Sequence, residues 1–101
     1  MRKNRSGFQR NDAKGKVRID LIPTWVLTRL GTLYAEGAEK FGEHNWEKAC
    51  NIEDYTSFES SFCRHSIQYR NSAKDEDHFT RVMFNLIGME LVRGKITTKS
   101  K

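Results

Sequence analysis

Three sets of side chains in this 101-residue sequence have the chemistry to handle a charged ligand. The first is carboxylate. Glu36 and Glu39 stand three apart, Glu59 lies further along, and Asp75, Glu76 and Asp77 form a run. A hard ion such as Mg2+ prefers oxygen ligands in octahedral geometry and is commonly shared with a substrate phosphate. Glutamates projecting from neighbouring helices can build such a site. The bland alternative is a solvated helix surface, with the 75–77 run sitting where a helix N-terminus favours negative charge.

The second set is imidazole, guanidinium and amide. Arg64 and His65 are adjacent, and His65 falls on an apolar stripe with Tyr55, Phe58, Phe62 and Tyr69. His78, Arg81 and Asn85 fall at i, i+3 and i+7, a polar row on one helical face. An inward-facing row of this kind would line a site, and a water-facing row would do nothing. The third set suits phosphates and bases. Lys14, Lys16 and Arg18 alternate, which puts their side chains on one side of an extended segment. Asn45 and Trp46 offer an amide and a stacking face, or a simple loop anchor.

These residues need elements to hold them. Val26, Leu27, Leu30, Leu33, Tyr34, Ala38 and Phe41 repeat at three- and four-residue spacing and predict a helix over 23–41. Pro23 suits its first turn, and Gly42 suits a left-handed stop. Asn51 with Asp54 reads as a helix N-cap and opens a second helix running to about residue 69. A turn over 71–74 leads to a third helix, with Asp75, Glu76 and Asp77 in its first turn and Phe79, Val82, Met83, Leu86 and Ile87 on its apolar face to about residue 92. The only extended candidate is 16–22. The expected fold is all-α, a small bundle of three main helices in one domain over 14–92, with a disordered basic arm at 1–13 and a basic tail at 93–101.

Composition narrows the function classes. The net charge is +5, but it is divided: +6 over residues 1–18, −5 over 19–92 and +4 over 93–101. An acidic middle suits a cation site, and basic ends suit phosphates. Apolar residues make up 37% of the chain, which builds only a modest core and favours completion by a homo-oligomer. No apolar run approaches a membrane span and no secretory signal is visible, so no membrane partner and a cytoplasmic location are expected. Cys50 and Cys63 form no zinc-binding pair and read as reduced. Phosphate-binding glycine loops, zinc-protease helices and serine-nucleophile elbows are all missing.

The residues in order resemble a phage protein family, the dATP/dGTP diphosphohydrolase N-terminal domain, related to MazG-like all-α nucleotide pyrophosphohydrolases. The similar pieces are Lys14-Gly15-Lys16-x-Arg18-x-Asp20-Leu21-Ile22-Pro23, Gly37-Ala38-Glu39-Lys40-Phe41-Gly42-x-x-Asn45-Trp46, Arg64-His65, and His78 followed by Asn85. The resemblance implies hydrolysis of a purine (deoxy)nucleoside triphosphate to monophosphate and pyrophosphate in the host cytoplasm, with Mg2+ (or Mn2+) as cofactor. It places metal-binding carboxylate at Glu39, with Glu36 and Asp77 as further candidates. Phosphates fall to Lys16 and Arg18, the nucleotide pocket to Asn45 and Trp46, and the remaining walls to Arg64, His65, His78 and Asn85, with His65 and His78 as the catalytic pair; the alternating basic set and the polar row add Lys14 and Arg81 as substrate-binding candidates.

This chain departs from the family pattern in a shortened turn at 71–74 and in Arg81, which stands where a second histidine is expected. Fewer acids and an added cation favour holding an anionic nucleotide without cleaving it. Sequestration of a nucleotide or nucleotide-derived signal is therefore the alternative function. Nucleic-acid binding by the basic ends ranks third, because the acidic middle offers no recognition helix.

Overall fold

The computed structural model describes residues 2–3, 5–7, 9–10 and 15–99. It is all-α, as the periodicity predicts, with helices α1 (Thr24–Phe41), α2 (Ile52–Arg70) and α3 (His78–Lys99). Single 3-10 turns form at Ile19–Leu21 and Asn45–Lys48. Among the described residues no helix is long and apolar enough to cross a membrane.

Each helix end has a local cause. Pro23 sits just outside α1 as its N-cap, with ψ of 132°, rather than in its first turn. Gly42 ends α1 with φ of 92°, a region that favours glycine. Its ψ of 154° is extended and not left-handed helical; the αL residue is His44, two positions later. Asn51 caps α2, its Oδ1 accepting from the Asp54 N–H at 2.9 Å, while Asp54 Oδ2 accepts from the Cys50 N–H at 2.9 Å. The first bond satisfies one of the donors that the helix start leaves open, and the second ties down the N–H of the residue before the cap.

Four expectations are corrected. The acids at 75–77 precede α3 instead of occupying its first turn. Asp77 is the capping residue: its carboxylate accepts from the Thr80 N–H at 3.3 Å and from Thr80 Oγ1 at 2.6 Å. At the other end α3 does not stop near residue 92 but continues to Lys99. Lys95 Nζ holds it there by donating to the carbonyls of Glu47 and, at 2.8 Å, Ala49. The segment expected to be extended over 16–22 contains the 3-10 turn instead. Within the arm expected to be unstructured, Arg2–Lys3 pairs antiparallel with Gln9–Arg10, and Gly7 with φ of 88° takes part in the turn between them.

Helices α2 and α3 form the main packed pair, and α1 lies on α3 but not on α2. Aromatic contacts fix α1: Trp25 meets Phe79 at 5.7 Å between ring centroids, and Tyr34 meets Phe84 at 5.0 Å. A cleft is left between α1 and α2, floored by α3. The α2–α3 seam is tight at Gly88, where an added Cβ would come within 2.5 Å of the Phe58 ring. Gly88→Ala should therefore lower stability by about 1–3 kcal/mol through overpacking, outweighing the gain in helix propensity of up to ~1 kcal/mol. Gly94→Ala, where an added Cβ meets nothing within 4 Å, should raise stability. Chemical denaturation of both variants distinguishes steric closeness from helix propensity.

Candidate functional site

The interior of the α2–α3 pair is polar. Among the described residues Val92 is the one buried hydrophobic side chain, while His65, His78, Thr80 and Asn85 are all buried. Buried polar groups are costly without partners, and these have them. His65 and His78 face each other with their Nδ1 atoms 2.8 Å apart. His78 Nε2 lies 2.8 Å from Asp75 Oδ1. Asn85 Nδ2 donates to the Arg81 carbonyl at 2.8 Å.

Tautomers follow from this chain of contacts. The Asp75 carboxyl is held below the ordinary carboxylate range, chiefly by its hydrogen bond with His78, so it is an acceptor. It takes the Nε2–H of His78. With its one proton on Nε2, the neutral form of His78 carries a lone pair at Nδ1, to which the Nδ1–H of His65 can donate across the 2.8 Å contact. His65 is left with a free lone pair at Nε2. Burial, and then the charge of Arg64, pushes the His65 imidazole below the usual histidine value and keeps it neutral.

His65 lines a cavity of about 940 Å³ in the cleft. Tyr34, Glu36, Gly37 and Lys40 of α1, Asn45 and Trp46 of the 3-10 turn, Arg64 of α2, and Arg81, Phe84 and Asn85 of α3 share the lining. Trp46 meets Tyr34 edge-on at 5.3 Å, so the aromatic wall is continuous from Trp46 through Tyr34 to Phe84. A smaller cavity of about 240 Å³ adjoins it, lined by Arg29, Glu36, Asp75, Glu76, Asp77 and Arg81 among others. Glu36 and Arg81 lie on both walls.

Asn45, Trp46, Arg64, His65, Arg81, Asn85 and Glu36 thus meet in one place, with His78 directly behind His65. Other candidates do not join them. Glu39 is exposed on α1 and lines neither cavity. Lys16 and Arg18 are exposed outside both, and Arg18 donates to Asp20 at 2.9 and 2.8 Å. Lys14 lies outside the described residues. Asp77 lines the smaller cavity, but its oxygens are occupied by Thr80 and by Arg29, whose Nε donates at 3.0 Å. That pairing, first of all, holds the Asp77 carboxyl far below the usual carboxylate range.

Residues 6–98 match the family described as dATP/dGTP diphosphohydrolase, N-terminal. The chain belongs to that family. No curated protein and no solved structure matches it significantly. The match covers α1, α2, all but the last residue of α3, and every residue of the cleft.

Sequence reasoning did not single out Arg29. Its guanidinium lies 4.9 Å from the Phe79 ring centroid and 5.5 Å from that of Trp25 while it pairs with Asp77. The readable signal was its i, i+7 relation to Glu36, which puts both on one face of α1. Glu76 was also undervalued; with His65 and His78 it forms a group whose ligating atoms all lie within 4.8 Å of one another.

The lowered His65 value has a sign. A histidine whose folded value is depressed contributes stability above the unfolded value of about 6.5, and that contribution is lost as pH falls through the lower folded value. Thermal melts should show stability declining from pH 7 toward pH 5. His65→Gln should flatten that decline; an equally steep decline in the variant would mean the buried imidazole is not its source.

Proposed function

We propose that the cleft binds a purine (deoxy)nucleoside triphosphate and that the chain hydrolyses it at the α-phosphorus, releasing monophosphate and pyrophosphate. The observation that carries this reading is the meeting of an aromatic wall, two guanidinium groups and a neutral, hydrogen-bonded imidazole in one cavity. Trp46 stacks on the base, and Asn45 offers an amide to its edge. Arg64 and Arg81 bind phosphate oxygens. The family description supports the substrate class.

In this reading His65 Nε2 accepts a proton from the attacking water. The new bond joins water oxygen to the α-phosphorus, and the bond to the bridging oxygen of the β-phosphate breaks. His78 and Asp75 stabilise the charged imidazole by fixing its orientation, which is positioning work. Magnesium (or manganese) would neutralise phosphate charge. The carboxylates do not fit a hard-ion cage within one chain, because Asp77 is committed to Arg29 and Thr80 and Glu39 lies off the cleft.

The ion pairs favour a second reading. Arg29 and Arg81 both enter the acidic cavity, with Arg81 Nε 3.0 Å from Glu76 Oε1. A site with cations where a metal would sit is suited to holding a nucleotide intact. Incubation with dATP and dGTP, with and without Mg2+ or Mn2+, followed by identification of every species, separates the two. Monophosphate and pyrophosphate support hydrolysis, and stoichiometric recovery of intact nucleotide supports sequestration. Trp46→Ala should weaken nucleotide binding by about 5- to 150-fold, the equivalent of ~1–3 kcal/mol of stacking. His65→Gln should lower kcat by about 100-fold or more with little change in nucleotide affinity.

We propose also that the chain works as a homo-oligomer. Ile22, Trp25, Leu27, Phe41, Ile52 and Ile67 are all more than 40% exposed. The chain's accessible surface is 8125 Å², against roughly 5,900 Å² for a compact protein of this mass. The excess is of the size each partner buries in a large, obligate interface. Light scattering should return a multiple of 11.8 kDa; a monomer at micromolar concentration would refute it.

A further inference from the structure

We propose that His65, His78 and Glu76 form a site for a borderline divalent transition ion such as Zn2+ or Co2+, distinct in ligand chemistry from the magnesium site expected on carboxylates. Two imidazole nitrogens and one carboxylate are the donor set such ions prefer, with positions left open for water or ligand. The three ligating atoms already lie within 4.8 Å of one another, and both histidines are buried.

Asp75 supplies the second observation. It accepts the Nε2–H of His78, which fixes the tautomer that presents the Nδ1 lone pair to the site. A carboxylate behind a ligating histidine is the usual outer support of such centres. The two Nδ1 atoms, now 2.8 Å apart, must separate to about 3.3 Å to share a tetrahedral ion at normal bond lengths. Glu76 is paired with one cation, Arg81, which an ion at this site would have to displace. Its ion pair with Arg81 is off the N–H direction, because the buried Arg81 Nε has no in-line acceptor.

Binding at this site moves a proton without losing one. The hydrogen on His65 Nδ1 leaves to make room for the ion, and the neutral ring regains it at Nε2. The bond to the metal replaces the His65–His78 hydrogen bond. Nothing is oxidised or reduced. His65 thereby changes at Nε2 from acceptor to donor, so ion occupancy would set whether the ring takes a proton or holds an anion.

The test uses the full chain, stripped with chelator and free of nucleotide, so its outcome does not depend on the hydrolase reading. Titration with Co2+ should give saturable visible absorption of a low-coordinate ion at one per chain, unaffected by a hundredfold excess of Mg2+. Glu76→Gln and Asp75→Asn alter exposed side chains and should leave the fold intact by circular dichroism. Asp75→Asn should weaken Co2+ by about 10- to 100-fold, and Glu76→Gln should weaken it at least tenfold. His44→Ala, which alters the remaining histidine, exposed and paired with Glu47, should change nothing. The proposal is overturned by unsaturable binding, by affinity unchanged in Glu76→Gln and Asp75→Asn, by loss of binding in His44→Ala, or by thiolate absorption from Cys50 or Cys63.

Discussion

A hydrogen-bonded line from Asp75 through His78 to His65 holds the centre of this molecule. Two imidazoles buried between α2 and α3 would cost several kcal/mol if left unpaired. They are tolerable because each completes the other and the carboxylate satisfies the outer nitrogen. The register of α3 on α2 is therefore constrained by polar chemistry as well as by apolar fit. Most small helical domains place leucine at such a seam. Here the buried set is His65, His78, Thr80 and Asn85, with Val92 as the apolar member. A seam built this way gives up hydrophobic stabilisation, while α1 and α2 keep large apolar side chains exposed at Trp25, Leu27, Phe41, Ile52 and Ile67.

Asp77 links that seam to the third helix. One carboxylate caps α3 through Thr80 and anchors α1 through Arg29, while Arg29 also covers the faces of Trp25 and Phe79. Such cation–π packing contributes most where water is excluded. The result is that α1 rests on α3 and on the Asn45–Lys48 turn but stands off α2, which opens the cleft in which Trp46, Arg64, Arg81 and Asn85 converge with His65. The same geometry explains why carboxylates near the site do not gather around an oxygen-preferring ion: their charge is already matched by arginines within the chain.

Helix identity was legible because it depends on spacing. The apolar period of α1, the Asn51–Asp54 cap and the i, i+3, i+7 row of His78, Arg81 and Asn85 all reflect local geometry, and all form. The site was legible in part for the same reason. His65 on an apolar stripe and His78 on a polar row are each odd alone, and their meeting across a helical hairpin follows once the two helices are drawn. What could not be seen depends on tertiary partners. Glu39 and Glu36 have the same spacing signal, yet only Glu36 reaches the cleft. Asp77 reads as a possible ligand until Arg29 and Thr80 are placed beside it. The extension of α3 to Lys99 is set by Lys95 reaching carbonyls of the 45–49 connection, a contact between residues far apart in sequence.

Long-range proton–nitrogen NMR on the metal-free chain reads the tautomer of each ring directly. The central line of hydrogen bonds requires a proton on His78 Nε2 facing Asp75, and in its neutral form it places the His65 proton at Nδ1, the less common imidazole form in water. Finding His78 without a proton at Nε2, or His65 doubly protonated at pH 7.5, would contradict it.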